Sequence, residues 1–168
     1  MRVTGSEARI AAFAGKYAPE IADVALACRR KLRQLVPRGF ELVYDSYNAL
    51  VFAFGPTEKS SDAVCSIAAY PRWVTLFFMD GTRLDDPAGL LQGTGSRIRS
   101  VRLGSAADLD RKDVRALIAA ALASAKSAFA GAPPLATTIK SVSAKQRARR
   151  PSGPKALVKK AARGRSVR

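Results

Sequence analysis

The chain contains no histidine. That absence removes the Ser-His-Asp and Cys-His pairs of nucleophilic catalysis and any His-ligated zinc site, whatever the fold. Cysteine is scarce too. Cys28 and Cys65 are the only two, one in a helical pattern and one in a strand pattern. Both read as buried thiols acting as small hydrophobes rather than as a disulfide framework. No window approaches the roughly 20 apolar residues of a membrane span. The N-terminal stretch has no apolar core like that of a secretory signal, because Glu7, Arg9 and Lys16 interrupt it. A cytoplasmic protein without a membrane span is the expectation. Acid is missing from one whole region. From Gly131 onward there are eleven Lys and Arg residues and none of the chain's thirteen acids, the last of which is Asp113.

What is present divides into a patterned part and an unpatterned one. Residues 6–17 are Ala-rich and suit a helix. A second helix starts at Pro19, a residue fitted to the first helical position. Ile21, Val24, Cys28, Leu32 and Leu35 recur there at helical spacing, and Pro37 and Gly39 stop it. Strands follow over 40–47, 48–54, 64–70 and 72–79, rich in Val, Phe, Tyr and Trp and separated by turn formers. Connections this short favour antiparallel neighbours, since a parallel crossover needs about a dozen residues or more. A long polar loop leads to a fifth strand over 97–103. A last helix is expected after Asp110 as its cap, with Asp113 in the first turn and Val114, Leu117, Ile118, Ala121 and Leu122 on its apolar face.

The fold class expected is α+β: an antiparallel sheet of about five strands packed by N-terminal and C-terminal helices in two layers. The domain is expected to occupy residues 1–130. Residues 131–168 are expected to form a disordered basic tail, because a like-charged block without aromatics does not offset its ordering entropy.

The run from Ala63 to Leu103, preceded by FELVYDSYNALVFAFGPTE, resembles the YdhG-like domain family, a group of small bacterial domains of unknown function. The pieces that carry the resemblance are Trp73-Val74-Thr75-Leu76-Phe77-Phe78, Leu84-Asp85-Asp86-Pro87 and Leu91-Gln92-Gly93-Thr94-Gly95. The resemblance implies an α+β domain with an antiparallel sheet packed by helices. It transfers no catalytic motif. One branch of the family is linked to frataxin-like iron delivery.

Three groups of residues could carry chemistry. Gly93, Thr94, Gly95 and Ser96, followed by Arg97, Arg99 and Arg102, form a candidate anion site. Glycines let backbone N–H groups approach an oxyanion and arginines supply fork-shaped charge. A turn beside a solvated arginine strand would look the same. Asp80, Asp85 and Asp86 flank this loop and give a weak alternative metal site; the ordinary reading is that Asp85 or Asp86 caps a turn at Pro87. Tyr44, Asp45, Tyr47 and Trp73 are candidates for an exposed surface or pocket.

The polycationic tail is the firmest functional signal. It comprises Lys140, Lys145, Arg147, Arg149, Arg150, Lys155, Lys159, Lys160, Arg163, Arg165 and Arg168. Such a segment displaces counterions from nucleic acid with little sequence preference. The sequence thus points to a non-enzymatic domain, without a cofactor, whose tail binds nucleic acid or another polyanion. The alternative is a small-ligand or metal (iron) binding or chaperone module using the loop 80–102. The sequence leaves the oligomeric state open.

Overall fold

Thr4 opens the first helix, α1 (Gly5–Ala14), by accepting the Glu7 N–H on its hydroxyl at 3.3 Å. The computed structural model describes residues 4–151. Pro19 starts α2 (Pro19–Leu35), as its fixed φ and missing N–H allow. Ala25, Cys28 and Leu32 of α2 are buried.

Five strands then form close to where alternation and turn residues place them: β1 (Phe40–Asp45), β2 (Leu50–Gly55), β3 (Cys65–Ala69), β4 (Val74–Phe78) and β5 (Arg99–Leu103). Each pairs antiparallel with the next. The expected last helix is broken in two, α3 (Lys112–Ser124) and α4 (Lys126–Ala130), because Ala125 leaves helical geometry at φ −111° and ψ 16°. Asp110 does not cap it. Its carboxylate is instead engaged by Lys31 and Arg115.

The sheet has a sixth strand that corrects the expected domain boundary. Residues Ala136–Val142 form β6, which lies parallel to β1 and makes the sheet order β5-β4-β3-β2-β1-β6. The sheet therefore draws in residues well past 130. The physical reason is the β1 edge. An unpaired strand edge carries a row of unsatisfied backbone donors and acceptors. The chain turns at Gly131 and Pro133, and hydrogen bonds between Gly39 and Pro133, Leu135 and Pro37, and Ala136 and Gly39 dock it there. Gly39, at φ +101°, sits so close to Gly55 that a Cβ would fall 2.4 Å from its carbonyl oxygen. The basic residues from Lys155 to Arg168 lie outside the described residues.

The helices cover one sheet face. Phe52, Phe54, Ile67, Leu76 and Phe78 pack there against Ile10, Cys28, Leu32, Val114 and Ile118 in the main core. Cys28 and Cys65 are both free and buried, and burial pushes each thiol up to about 12. The opposite face holds a small cluster of Leu42, Ala53 and Ala63, joined among the described residues by Phe40, Tyr44, Val51 and Met79, none of them on a helix. This is a two-layer arrangement. Among the described residues no helix is long and apolar enough to cross a membrane.

Candidate functional site

Asp45, at the end of β1, organises one end of the domain. It is a correction to the sequence reading, because it is fully buried rather than part of an exposed surface. Lys16, just after α1, donates to its carboxylate at 2.6 Å, and Arg149 donates at 2.9 Å from the other side. Burial raises the Asp45 pKa, but hydrogen bonds from Lys16, Gln146 and Arg149 outweigh it and hold the carboxyl below its usual range.

Arg149 also donates to the carbonyls of Ser46 and Tyr47 and lies 5.5 Å from the centre of the Tyr17 ring. Its exposure is 5%, so it belongs to the fold and is not available to a polyanion as the tail reading has it. Tyr17 itself bridges β2 and β3, accepting from the Leu50 N–H and donating to the Ala69 carbonyl, both at 2.9 Å. Ser143 N–H bonds the Asp45 carbonyl and Arg147 N–H bonds the Tyr47 carbonyl, each at 2.9 Å. Together these contacts strap residues 143–150 across the end of the sheet.

The strap builds one wall of a cleft of about 530 Å³. Its other wall is the turn between β3 and β4, closed by the Tyr70 N–H to Trp73 carbonyl bond at 2.9 Å. Tyr70, Arg72, Trp73, Arg147 and Arg150 line the space together with Asn48, Pro71, Ala148 and Pro151, and no acid is among them. The Tyr70 and Trp73 rings stand 5.6 Å apart and 33° from parallel. Arg102 of β5 lies over Trp73, its guanidinium carbon 4.5 Å from the ring centre. Arg72, Arg102, Arg147 and Arg150 are exposed, whereas the two rings are half-buried. The cleft joins anchored aromatic faces to unneutralised cations, and so suits an anionic ligand with flat groups.

Of the four residues expected at a surface or pocket, Trp73 alone lines this cleft. Tyr47 is exposed beside the strap, while Tyr44 is half-buried with its hydroxyl enclosed and without a partner among the described residues. Tyr70 and Arg72 line it too and are not among the residues that the sequence singles out. The signal is Tyr70-Pro71-Arg72-Trp73 itself, aromatics interleaved with arginine at a strand turn. Among the expected tail cations, Lys140 stands exposed on β6, and Lys145, Arg147 and Arg150 are exposed on the strap.

The glycine-rich loop behaves differently. Its residues Gly93, Thr94, Gly95 and Ser96 are exposed. Gly93 takes φ +131°, a conformation that favours glycine, and Gln92 pairs with Ser100 beside β5. The three arginines expected to hold an anion have separate partners. Arg97 donates twice to Asp80, at 2.8 and 2.6 Å. Arg99 donates to the carbonyls of Gly95 and Ile98, and Arg102 covers Trp73. The loop thus turns carbonyl oxygens, not N–H groups, toward Arg99.

Asp86 accepts the N–H groups of Leu90 and Leu91, both at 2.9 Å, as a turn cap would. Among the described residues no group of three or more Asp, Glu, Cys or His side chains is placed to hold a metal ion, so Asp80, Asp85 and Asp86 do not assemble one. A cleft of about 720 Å³ does lie between this loop and α3, with Asp80, Arg83 and Asp85 on one side and Ala121 and Ser124 on the other.

No family model, curated protein or solved structure matches this chain. The resemblance to the YdhG-like family rests on the quoted motifs, and the functional reading rests on the surface itself.

Proposed function

We propose that this is a cytoplasmic, non-enzymatic α+β domain of YdhG-like type that binds nucleic acid or another polyanion through its C-terminal basic segment. The observation that carries the reading is the buried Arg149–Asp45 pair. It anchors the strap so that Arg147 and Arg150 stand opposite Arg72 across an acid-free cleft. In sequence, six further Lys and Arg residues follow Pro151 directly, with no acid among them. Cations gathered without acids displace condensed counterions from a phosphate backbone, which makes binding strong at low salt and steeply salt-dependent.

The test uses the full chain. Fluorescence anisotropy with duplex DNA and with heparin across a salt series is expected to give a steep linear fall of log K with log salt, by about 0.9 per phosphate neutralised on duplex DNA. Replacing Lys155, Lys159, Lys160, Arg163, Arg165 and Arg168 with Gln is expected to flatten that slope. An unchanged slope, or no binding at low salt, overturns the reading. Substitution is the clean form of the test, because removing everything from residue 135 onward would strip β6 and the Asp45 partner from the fold.

A second reading, a small-ligand module using the loop 80–102, is favoured by the cleft between that loop and α3. Its volume falls within the range of about 300–1,000 Å³ common for ligand sites. A thermal shift with ferrous iron or pyrophosphate and none with DNA would favour it over the first.

A further inference from the structure

We propose that the cleft between the β3–β4 turn and the strap binds single-stranded nucleic acid, stacking bases on Trp73 and Tyr70 while Arg72, Arg147 and Arg150 hold phosphates. The inference rests on the polyanion reading and sharpens it from charge alone to a strand with free bases. Three observations carry it.

The first is the company the arginines keep. A site for bare polyanion needs cations only, yet here the aromatic pair stands among them at 5.6 Å between ring centres. Aromatic faces beside a cationic track are how sequence-tolerant single-strand binders hold bases and backbone together.

The second is the state of the Trp73 ring. Arg102 is exposed and packs on the ring at 4.5 Å, in the manner of a cation on a π face. A flexible, solvated side chain of this kind yields its place to a base at little cost, and then becomes a free cation beside the phosphate.

The third is rigidity. Trp73 and Tyr70 are tied by the turn hydrogen bond, and Arg147 by its N–H to the Tyr47 carbonyl. The burial of Arg149 between them and Arg150 fixes where both flanking arginines begin. A preformed site loses less ordering entropy on binding. The walls are a turn and an extended strap, not a helix or ribbon of the sort that enters a duplex groove. Bases paired inside a duplex cannot reach the rings.

Trp73 is the only tryptophan, so intrinsic fluorescence of the unmodified full chain reports on the site directly. The titrants are oligodeoxythymidine, an abasic deoxyribose-phosphate oligomer of equal length, duplex DNA and heparin. Oligodeoxythymidine is expected to quench Trp73 and to bind at least about tenfold tighter than the abasic oligomer, since base stacking adds to the phosphate contacts that both oligomers make. The variants Trp73→Leu and Tyr70→Leu are expected to lose that advantage and keep abasic binding, whereas Trp73→Phe retains part of it.

Equal affinity for the two oligomers, or quenching by heparin as deep as by oligodeoxythymidine, overturns the stacking proposal and leaves the polyanion reading standing. Failure of all four titrants to bind overturns both. The quenching arm needs no substitution, so a variant that does not fold leaves the proposal falsifiable.

Discussion

The two ends of β1 each bury a carboxylate among cations, and they do so for different ends. Glu41 takes Arg29 at 2.5 Å, Arg33 and the Thr137 hydroxyl at 2.6 Å. Arg29 also holds Glu7 through paired contacts at 2.9 and 2.6 Å, which lowers the Glu7 pKa. The two guanidiniums lie 12 and 8 residues before Glu41 on α2, so one helix and one strand suffice to build most of this cluster. Asp45 draws its partners from 29 residues before and 104 after. Glu41 therefore ties the helices to the sheet and reaches β6 only through Thr137, while Asp45 holds the segment that follows β6. The second cluster, together with the backbone bonds of Ser143 and Arg147, places one wall of the cleft.

Breaking the first cluster should have the largest effect. Glu41→Gln leaves the half-buried Arg33 without its carboxylate and the buried Arg29 with Glu7 alone, and loss of one partner from a buried pair costs about 3–5 kcal/mol. The expected outcome in urea is a lower midpoint with an unchanged m-value, as the whole domain is weakened. If instead only the strap loosens, the two clusters are not distinct in role.

Breaking the second cluster should be milder and local. Asp45→Asn is expected to cost toward the lower end of about 3–5 kcal/mol, because Lys16 is 40% exposed and screened and Arg149 keeps the Ser46 and Tyr47 carbonyls. Its mark is accelerated tryptic cleavage at Lys145 and Arg147 while the core amides stay protected from exchange. The sign of its pH dependence follows from the depressed pKa. The ionised Asp45 contributes its full stabilisation above its ordinary value of 3.8 and loses it as pH falls through the lower folded value. The gap between native protein and Asp45→Asn should therefore be constant near neutrality and close below pH 3.8. A gap that widens in acid would mean that Asp45 is not the charged anchor of the strap.

The smallest effect belongs to the glycine-rich loop. Arg97 and Asp80 are 67% and 49% exposed, and a surface pair contributes about 0–1 kcal/mol. Asp80→Asn is expected to leave the urea midpoint almost unmoved. A large loss there would show the loop to be held by charge as firmly as the strap.

Much of the fold was legible from local pattern. Alternation and turn residues placed β1 to β5 within about two residues, and Pro19 marked the start of α2, because these signals depend on neighbours in sequence. The burial of Cys28 and Cys65 followed from the same patterns. β6 escaped because Thr137-Thr138-Ile139 is a short β-branched run inside a basic, acid-free segment, and its stability comes from the open edge of β1. Arg149 reads in sequence as one more tail cation for the same reason: nothing near it in sequence shows that a buried Asp45 awaits it. The cleft was half legible. Trp73 stood out as an aromatic at a strand end, but Arg147 and Arg150 reach it only through the strap.

The amino-acid sequence by itself determined the absence of histidine chemistry, the strand-rich centre, the helical faces and the surplus of positive charge, since each is a matter of composition or of contacts a few residues apart. The tertiary structure alone decided which cations remain free and which are consumed. Arg149, Arg97 and Arg29 are neutralised by acids 104, 17 and 12 residues away, whereas Arg72, Arg147 and Arg150 meet at one cleft with none. Charge in a sequence is a sum, but its use depends on burial and pairing, and those are set by which distant segments the sheet brings together.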